Sequence, residues 1–401
     1  MKILLSAYAC EPNKGSEPSV GWNWAIEVAR LGHETWVITR ANNKESIELS
    51  EIPDNLHFIY YDLPKRARWW KSGRRGVHLY YLLWQWGAYQ IAKKIHEKEK
   101  FELVHHVTFV GVRQPSFMGN LEIPFIFGPV AGGESAPWRL RNGFGFFGQV
   151  KDATRDVLNQ LVRIDPMMKQ TFKKATKIYV TSEQTKALVS AKYQIKTQIQ
   201  LAIGVESKDL AGSCKVEAIK KHKILYVGNF LYLKGMHIGI EAFSKLSEKA
   251  PNVRLTMVGK GPDEMRWKNL AKQLGVSEKI DWVPWLTQAE LNEEYLSHDI
   301  FLFPSLHDSG GMVVLEAMSL GLPVVCLDLG GPGVIVNETC GKKIVTKNQS
   351  YQKIASVMAN ELNNLIENHD EYSVLSNGAV KRSQQFKWAG VVNKIYGDLK
   401  L

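Results

Sequence analysis

Two patterns of apolar and polar positions follow one another along the chain: short continuous apolar runs, and longer stretches with apolar residues every three or four positions. The run 3–9 predicts a first strand buried on both faces. A turn-rich loop, Ala9-Cys-Glu-Pro-Asn-Lys-Gly-Ser-Glu-Pro-Ser19, leads into a helical pattern through Val20, Trp24, Ala25, Val28 and Ala29, which stops at Gly32. Further strands are predicted at 34–39, 56–60, 101–108, around 123–128 and at 177–182. Residues 134–150, with Trp138, Arg139, Arg141 and several phenylalanines and glycines, read as a mobile loop. A second series begins with a strand at Lys223-Ile-Leu-Tyr-Val-Gly and continues with strands at 253–258 and 280–283 and a helix over 287–297. From Phe386 a helical period returns through Trp388, Val391, Val392 and Ile395.

Repeated strand, loop, helix, strand order predicts an α/β protein built of βαβ units with parallel sheets. A chain of 401 residues is long enough for two such domains, each with its own core. Residues 197–222 carry strand and loop signals without a clear helix and mark the link. The expected division is 1–200 plus a last helix from about 384 to 401, and 201–383.

The stretch from Ile300 to Cys326 carries the densest chemistry. Ile300-Phe-Leu-Phe is a buried strand closed by Pro304-Ser305, residues 312–320 form a helix stopped by Gly321 and Pro323, and 322–327 is another strand. Ligands of open parallel sheets bind at the carboxyl ends of the strands, where the loop 304–311 lies. At the helix mouth, the N–H groups of Gly310 and Gly311 suit a phosphate, and the missing side chains let it approach. The carboxylates of Asp308 and Glu316 suit hydrogen bonds from sugar hydroxyls. The same two residues also read as a helix cap and a solvated helix position. The strand at 101–108 places His105 and His106 near a carboxyl end on opposite faces, so one of them faces the crevice, and His106 is taken as that one.

Composition narrows the classes. Hydrophobic content of 45% and charged content of 23% are globular values. The four cysteines show no Cys-x-x-Cys spacing, which argues against a zinc site or disulfide framework and for a reducing compartment. The N-terminus reads as a strand and not as a signal peptide, and no apolar run approaches the roughly 18–20 residues of a membrane span. Neither a Gly-x4-Gly-Lys-Ser/Thr loop nor a Gly-x-Gly-x-x-Gly follows the first strand, which argues against P-loop and dinucleotide enzymes.

The net charge of +11 is concentrated in part at Lys65-Arg-Ala-Arg-Trp-Trp-Lys-Ser-Gly-Arg-Arg75, which runs into an aromatic stretch through residue 86. Cations beside tryptophan and tyrosine over 65–92 suit an anionic membrane surface. Single-stranded nucleic acid uses the same residue types, and 77–92 also reads as a core helix with a solvated lead-in. No recognised nucleic-acid module accompanies the run, so no nucleic-acid partner is expected.

Pro304-Ser305, Asp308, Gly311, Glu316-Ala317-Met318, Gly321 and Pro323-Val324 together resemble the nucleotide-sugar signature of the retaining glycosyltransferases of family 4, which have the GT-B fold. In that family the pattern is Glu-x7-Glu, and Asp308 stands in its first place. The family's Gly-Arg followed by Lys-Gly is similar to Gly228-Asn229 and Lys234-Gly235, with an asparagine where the arginine belongs. The resemblance extends to Gly259-Lys-Gly-Pro262, to the glycine-containing first loop at Gly15 and to a histidine at a strand end, and it covers nearly the whole chain.

What the resemblance implies is two Rossmann-like domains facing a central cleft, with the last helix crossing back to the first domain. It implies transfer of a sugar, with retention and without a metal or other cofactor, from a nucleoside diphosphate sugar to a glycan or lipid-linked acceptor in cell-surface polysaccharide synthesis. Asp308, Lys234 and His106 are then the expected catalytic residues. Gly15, Gly228, Asn229, Lys234, Gly310, Gly311, Met312, Val313 and Glu316 are the expected donor-binding ones. The place of work is the cytoplasm, at the inner face of the membrane. A sugar-nucleotide epimerase and a noncatalytic sugar-nucleotide-binding protein are the alternatives.

Overall fold

The computed structural model describes residues 1–71, 73, 76–206 and 222–397. The chain divides into two compact units: Met1–Gly133, Val157–Ile203 and Trp388–Leu401 make the first, and Glu134–Asp156 and Gly204–Lys387 make the second.

The first unit is built on a sheet of β1 (Lys2–Ala7), β2 (Glu34–Arg40), β3 (Leu56–Tyr61), β4 (Leu103–Thr108), β5 (Phe125–Val130), β6 (Lys177–Val180) and β7 (Thr197–Ile199), in the order β3-β2-β1-β4-β5-β6-β7. Its neighbouring strands are parallel. The second holds β8 (Lys223–Val227), β9 (Arg254–Val258), β10 (Ile280–Val283), β11 (Ile300–Phe303), β12 (Val324–Leu327) and β13 (Gly341–Ile344), in the order β10-β9-β8-β11-β12-β13, again parallel. Every residue of β4, β5, β11 and β12 is buried; for β5, β11 and β12 the continuous apolar runs predict this, as for strands covered on both faces, and β4 buries two histidines and a threonine as well.

Strand order reverses between β1 and β4 in the first unit and between β8 and β11 in the second. Parallel sheets open a crevice for ligands at such a reversal, beyond the carboxyl ends of the two strands. Gly15 lies on the loop after β1; Lys234 and Asp308 lie on the loops after β8 and β11.

The last described helix, Trp388–Tyr396, belongs to the first unit and packs on the helix Glu17–Arg30. Val391, Val392 and Ile395 are wholly buried there, and Tyr396 Oη bonds His105 Nδ1 at 2.7 Å.

Two expectations change. Residues 134–150 are not a loop: a short 3-10 helix over Trp138–Phe144 runs into the helix Gly145–Leu161, held by the buried Arg141. They also sit with the second unit, because Glu134, Arg141 and Asp152 find their polar partners there. The link predicted at 197–222 begins as β7, paired to β6; its residues 207–221, with Cys214, lie outside the described residues.

A candidate donor site at the reversal of the second sheet

The turn Tyr232–Lys234 and the loop after β11 are joined by backbone. Leu233 carbonyl accepts from Leu306 N–H at 2.9 Å and from His307 N–H at 3.2 Å. Gly235 starts the helix Met236–Lys249 at φ 66, with its Cα so close to β11 that a Cβ would stand 2.0 Å from the Pro304 carbonyl oxygen. Only glycine fits there, which explains the Lys234-Gly235 pair.

This register brings Lys234 Nζ to 2.5 Å from Asp308 Oδ2 and places it 5.5 Å from the centre of the Phe303 ring. Both side chains are largely buried, at 19% and 16% exposure. Asp308 Oδ1 accepts from the N–H groups of Gly310 and Gly311 at 3.1 and 2.8 Å. The expectation that those two N–H groups stand open for a phosphate is therefore corrected: a carboxylate two and three residues upstream already occupies them, as in the capping reading of Asp308. The next two, Met312 and Val313, have no hydrogen-bond partner among the described residues, and they open the helix Met312–Ser319. The open donors at the helix mouth are thus those of Met312 and Val313, two of the expected donor-binding residues, and not those of Gly310 and Gly311.

Glu316 lies on the same helix and is half-buried. Its Oε2 accepts from Tyr295 Oη at 3.1 Å. Tyr295 is wholly buried on the helix Gln288–Ser297, and burial, then the Glu316 charge, push its phenol well above the ordinary range. Gly228 N–H bonds the Val258 carbonyl at 3.0 Å, and the exposed amide of Asn229 has no partner among the described residues.

The loop is braced from β12 as well. Asp328-Leu-Gly-Gly-Pro332, after β12, leads directly into a helix, Gly330–Ile335. Gly331 N–H bonds the Asp308 carbonyl at 2.8 Å, and a Cβ on Gly330 would stand 2.1 Å from that oxygen. Glu134, also buried, accepts from Ser309 Oγ at 2.8 Å. His307 Nε2 takes the Ala136 N–H at 3.2 Å and lies 3.1 Å from Asp152 Oδ1. Tyr295, Glu134 and Gly330 were absent from the expected site. Glu134 and Gly330 follow glycine-rich strand ends visible in the sequence, whereas nothing in the sequence marks Tyr295.

In the first unit the expected His106 is corrected. β4 continues two residues past it to Thr108, and the strand is central, with helices on both faces. Alternation separates the two histidines, but both point into packed interior. His106 Nε2 meets Tyr81 Oη at 2.8 Å and Gln85 Nε2 at 3.0 Å; His105 Nε2 meets the Gly128 carbonyl at 2.7 Å. Burial lowers His105 to about 4, and burial with the neighbouring His105 lowers His106 to about 3. The reversal of this sheet is lined instead by Thr108, whose Oγ1 accepts from Ala9 N–H at 3.1 Å, and by Glu17, whose Oε2 accepts from Phe109 N–H at 3.0 Å. Gly15 stands in open space on the same side of the fold.

In the region 65–92 the core-helix reading holds for one face of the helix. Tyr80, Tyr81, Trp84 and Ala88 of the helix Val77–Glu99 are core, while Leu79, Leu83 and Trp86 face outward. Arg68 pairs with Asp62, and Lys71 lies 4.9 Å from the centre of the Tyr80 ring. Arg74 and Arg75 lie outside the described residues. No described helix is long and apolar enough to cross a membrane.

Residues 215–382 match the family described as Glycosyl transferases group 1. An uncharacterised glycosyltransferase of Haemophilus influenzae is 27% identical over 227 residues, 54% of this chain and 61% of its own length. The chain spans less than two thirds of the length of the curated relatives it matches. Among solved structures, HepE of Anabaena in complex with UDP superposes with a TM-score of 0.63 at 15% identity, covering 100% of this chain and 99% of its own. WaaG, a glycosyltransferase involved in lipopolysaccharide biosynthesis, does so with a TM-score of 0.61 at 17% identity, covering 99% of each. The fold is accordingly GT-B, two Rossmann-like parallel-sheet units, and the matched residues 215–382 fall in the second of them.

Proposed function

We propose that the chain is a retaining, metal-independent glycosyltransferase. It moves a sugar from a nucleoside diphosphate sugar to a glycan or lipid-linked acceptor in cell-surface polysaccharide synthesis, in the cytoplasm at the inner face of the membrane. The observation that carries the reading is the convergence of Lys234, Asp308, the open N–H groups of Met312 and Val313, and Glu316 at the reversal of the second sheet. An ammonium and a helix mouth neutralise a departing diphosphate without a divalent ion. Glu316, steadied by Tyr295, accepts from ribose hydroxyls. Asp308 reaches a donor sugar once the arriving diphosphate draws Lys234 away from it. His106 has no part in this, since it is sealed in the core. HepE has been solved with UDP, and a uridine donor is therefore the first to try.

A screen of UDP, GDP and ADP sugars for thermal stabilisation identifies the donor, because a ligand that binds only the folded state raises its melting temperature. Transfer to a glycan or lipid-linked acceptor, with the anomeric configuration of the product read by NMR, then tests the reaction. Sugar epimerised by donor and protein alone would replace transferase by epimerase. Stabilisation without any turnover would leave a binding protein. The region 65–92 is proposed as the surface that meets anionic lipid, through Trp69, Leu79, Leu83 and Trp86 beside the remaining cations.

A further inference from the structure

The helix Gly145–Leu161 is inside out. Its inward positions include Asp152 and Asn159, only 1% and 3% exposed. Its apolar outward positions are Phe146, Phe147, Val150, Val157, Leu158 and Leu161, all exposed, with Phe146 at 76% and Phe147 at 87%; Lys151, Thr154 and Gln160 are exposed beside them. A helix on the surface of a globular protein in water ordinarily shows the reverse. Three polar side chains of the helix, Asp152, Asp156 and Asn159, are bound inward instead of facing solvent. Asp152 Oδ2 lies 3.2 Å from Arg141 Nε, Asp156 Oδ2 lies 2.5 Å from Arg141 Nη2, and Asn159 Nδ2 donates to the Gly132 carbonyl at 3.1 Å. With the polar side committed inward, the apolar side is left to the outside. Spacings of three, four and seven put the six apolar residues on one helix face, with Thr154 between its two halves.

The charge around the stripe has one sign. Between Trp138 and Ile164 the only acids are Asp152 and Asp156, and Arg141 engages both. Arg139, Lys151 and Arg163 are exposed, and Lys151 follows Phe147 by one turn on the edge of the stripe. Trp138, 67% exposed, precedes the helix with its ring 4.9 Å from the Arg141 guanidinium. An apolar stripe with two phenylalanines, a flanking tryptophan and cations at its margin is the composition of a helix that lies in the plane of a membrane interface.

We propose that the helix Gly145–Leu161 docks flat on an anionic bilayer, with Phe146, Phe147 and Val150 entering the boundary between headgroups and chains and Lys151 and Arg139 meeting the headgroups. The charge of the margin selects an anionic bilayer over a neutral one. The proposal uses none of residues 65–92, and it rests on the helix alone, independently of sugar transfer.

Sedimentation of the full chain with vesicles tests it, using phosphatidylcholine alone and phosphatidylcholine mixed with phosphatidylglycerol. The wild type should sediment with the mixed vesicles and far less with the neutral ones. Phe146→Ser with Phe147→Ser should weaken that binding about tenfold or more, and Lys151→Gln roughly fivefold, with the latter loss vanishing at high salt. Both variants should keep the wild-type melting temperature, because the side chains they alter are exposed. Stabilisation by a nucleotide sugar should be the same in the serine pair as in the wild type, so that failure of the docking and failure of the transferase reading are told apart. The proposal is overturned if the wild type ignores anionic vesicles, or if the serine pair binds them as the wild type does. It is equally overturned if Trp86→Ser abolishes binding and the serine pair does not, or if sedimentation velocity shows a dimer that the serine pair dissociates.

Discussion

Lys234 Nζ and Asp308 Oδ2 lie 2.5 Å apart, joining the loops after β8 and β11 where the second sheet changes direction. Each is therefore the other's counter-ion before any ligand arrives. A diphosphate and Asp308 compete for one ammonium. Asp308→Asn keeps an oxygen for the N–H groups of Gly310 and Gly311 while releasing Lys234. UDP should then bind several-fold more tightly by calorimetry while sugar transfer falls. Lys234→Ala should lose both. Unchanged UDP affinity in the asparagine variant would show that the pair and the phosphate do not compete.

Tyr295 gives Glu316 its orientation without reaching a ligand itself. A single hydrogen bond contributes about 0.5–1.5 kcal/mol net, so Tyr295→Phe should raise KM for the nucleotide sugar roughly two- to tenfold and leave kcat nearly unchanged. A fall in kcat with constant KM would place Glu316 in the chemical step instead.

Gly235 has no room for a side chain. Its φ of 66 and the 2.0 Å approach to the Pro304 carbonyl mean that Gly235→Ala must push the Lys234 turn away from β11. The expected result is a loss on the order of 2 kcal/mol or more in urea unfolding, together with loss of transfer activity. Gly15→Ala, in open space, should leave stability within about 0.5 kcal/mol.

Three interior histidines set the acid limit. Burial lowers His105 to about 4, His106 to about 3 and His237 to about 4, against an ordinary 6.5. In the unfolded chain they take up protons below about pH 6.5, and in the folded chain they do not until the lowered values are reached. The stability they contribute is therefore whole above pH 6.5 and is lost as the pH falls toward 4 and 3, on the order of 2–3 kcal/mol for each at pH about 4. Urea denaturation at pH 7, 6 and 5 should show a steepening decline, corresponding to uptake of about three protons on unfolding near pH 5. A flat profile over that range would mean that these imidazoles are already charged in the folded protein.

Much of this fold is legible in the sequence because its strands are continuous apolar runs, a pattern that strands buried on both faces impose. The stretch Ile300 to Cys326 predicts β11, the helix Met312–Ser319 and β12 nearly to the residue. The helix Gly145–Leu161 is not legible by the same logic: it inverts the usual pattern, and its glycines and phenylalanines read as loop. The two histidines fail for a related reason. A strand's alternation says that two neighbours face apart, but not that helices cover both sides. At the donor site, sequence spacing brings Lys234 and Asp308 to adjoining strand ends and says nothing of their pairing with each other. Tyr295 and Glu134 reach the site from other elements, and only packing reveals them.

The helix Trp388–Tyr396 completes the first unit although its residues follow Lys387, the last of the second. On the ribosome, the opening third of the polypeptide must therefore wait, with the flank of Trp24 and His105 uncovered, until every residue of the second unit has been made. Assembly from the amino terminus onward is thereby reversed in this molecule: the second unit is able to finish first, and the first is sealed last.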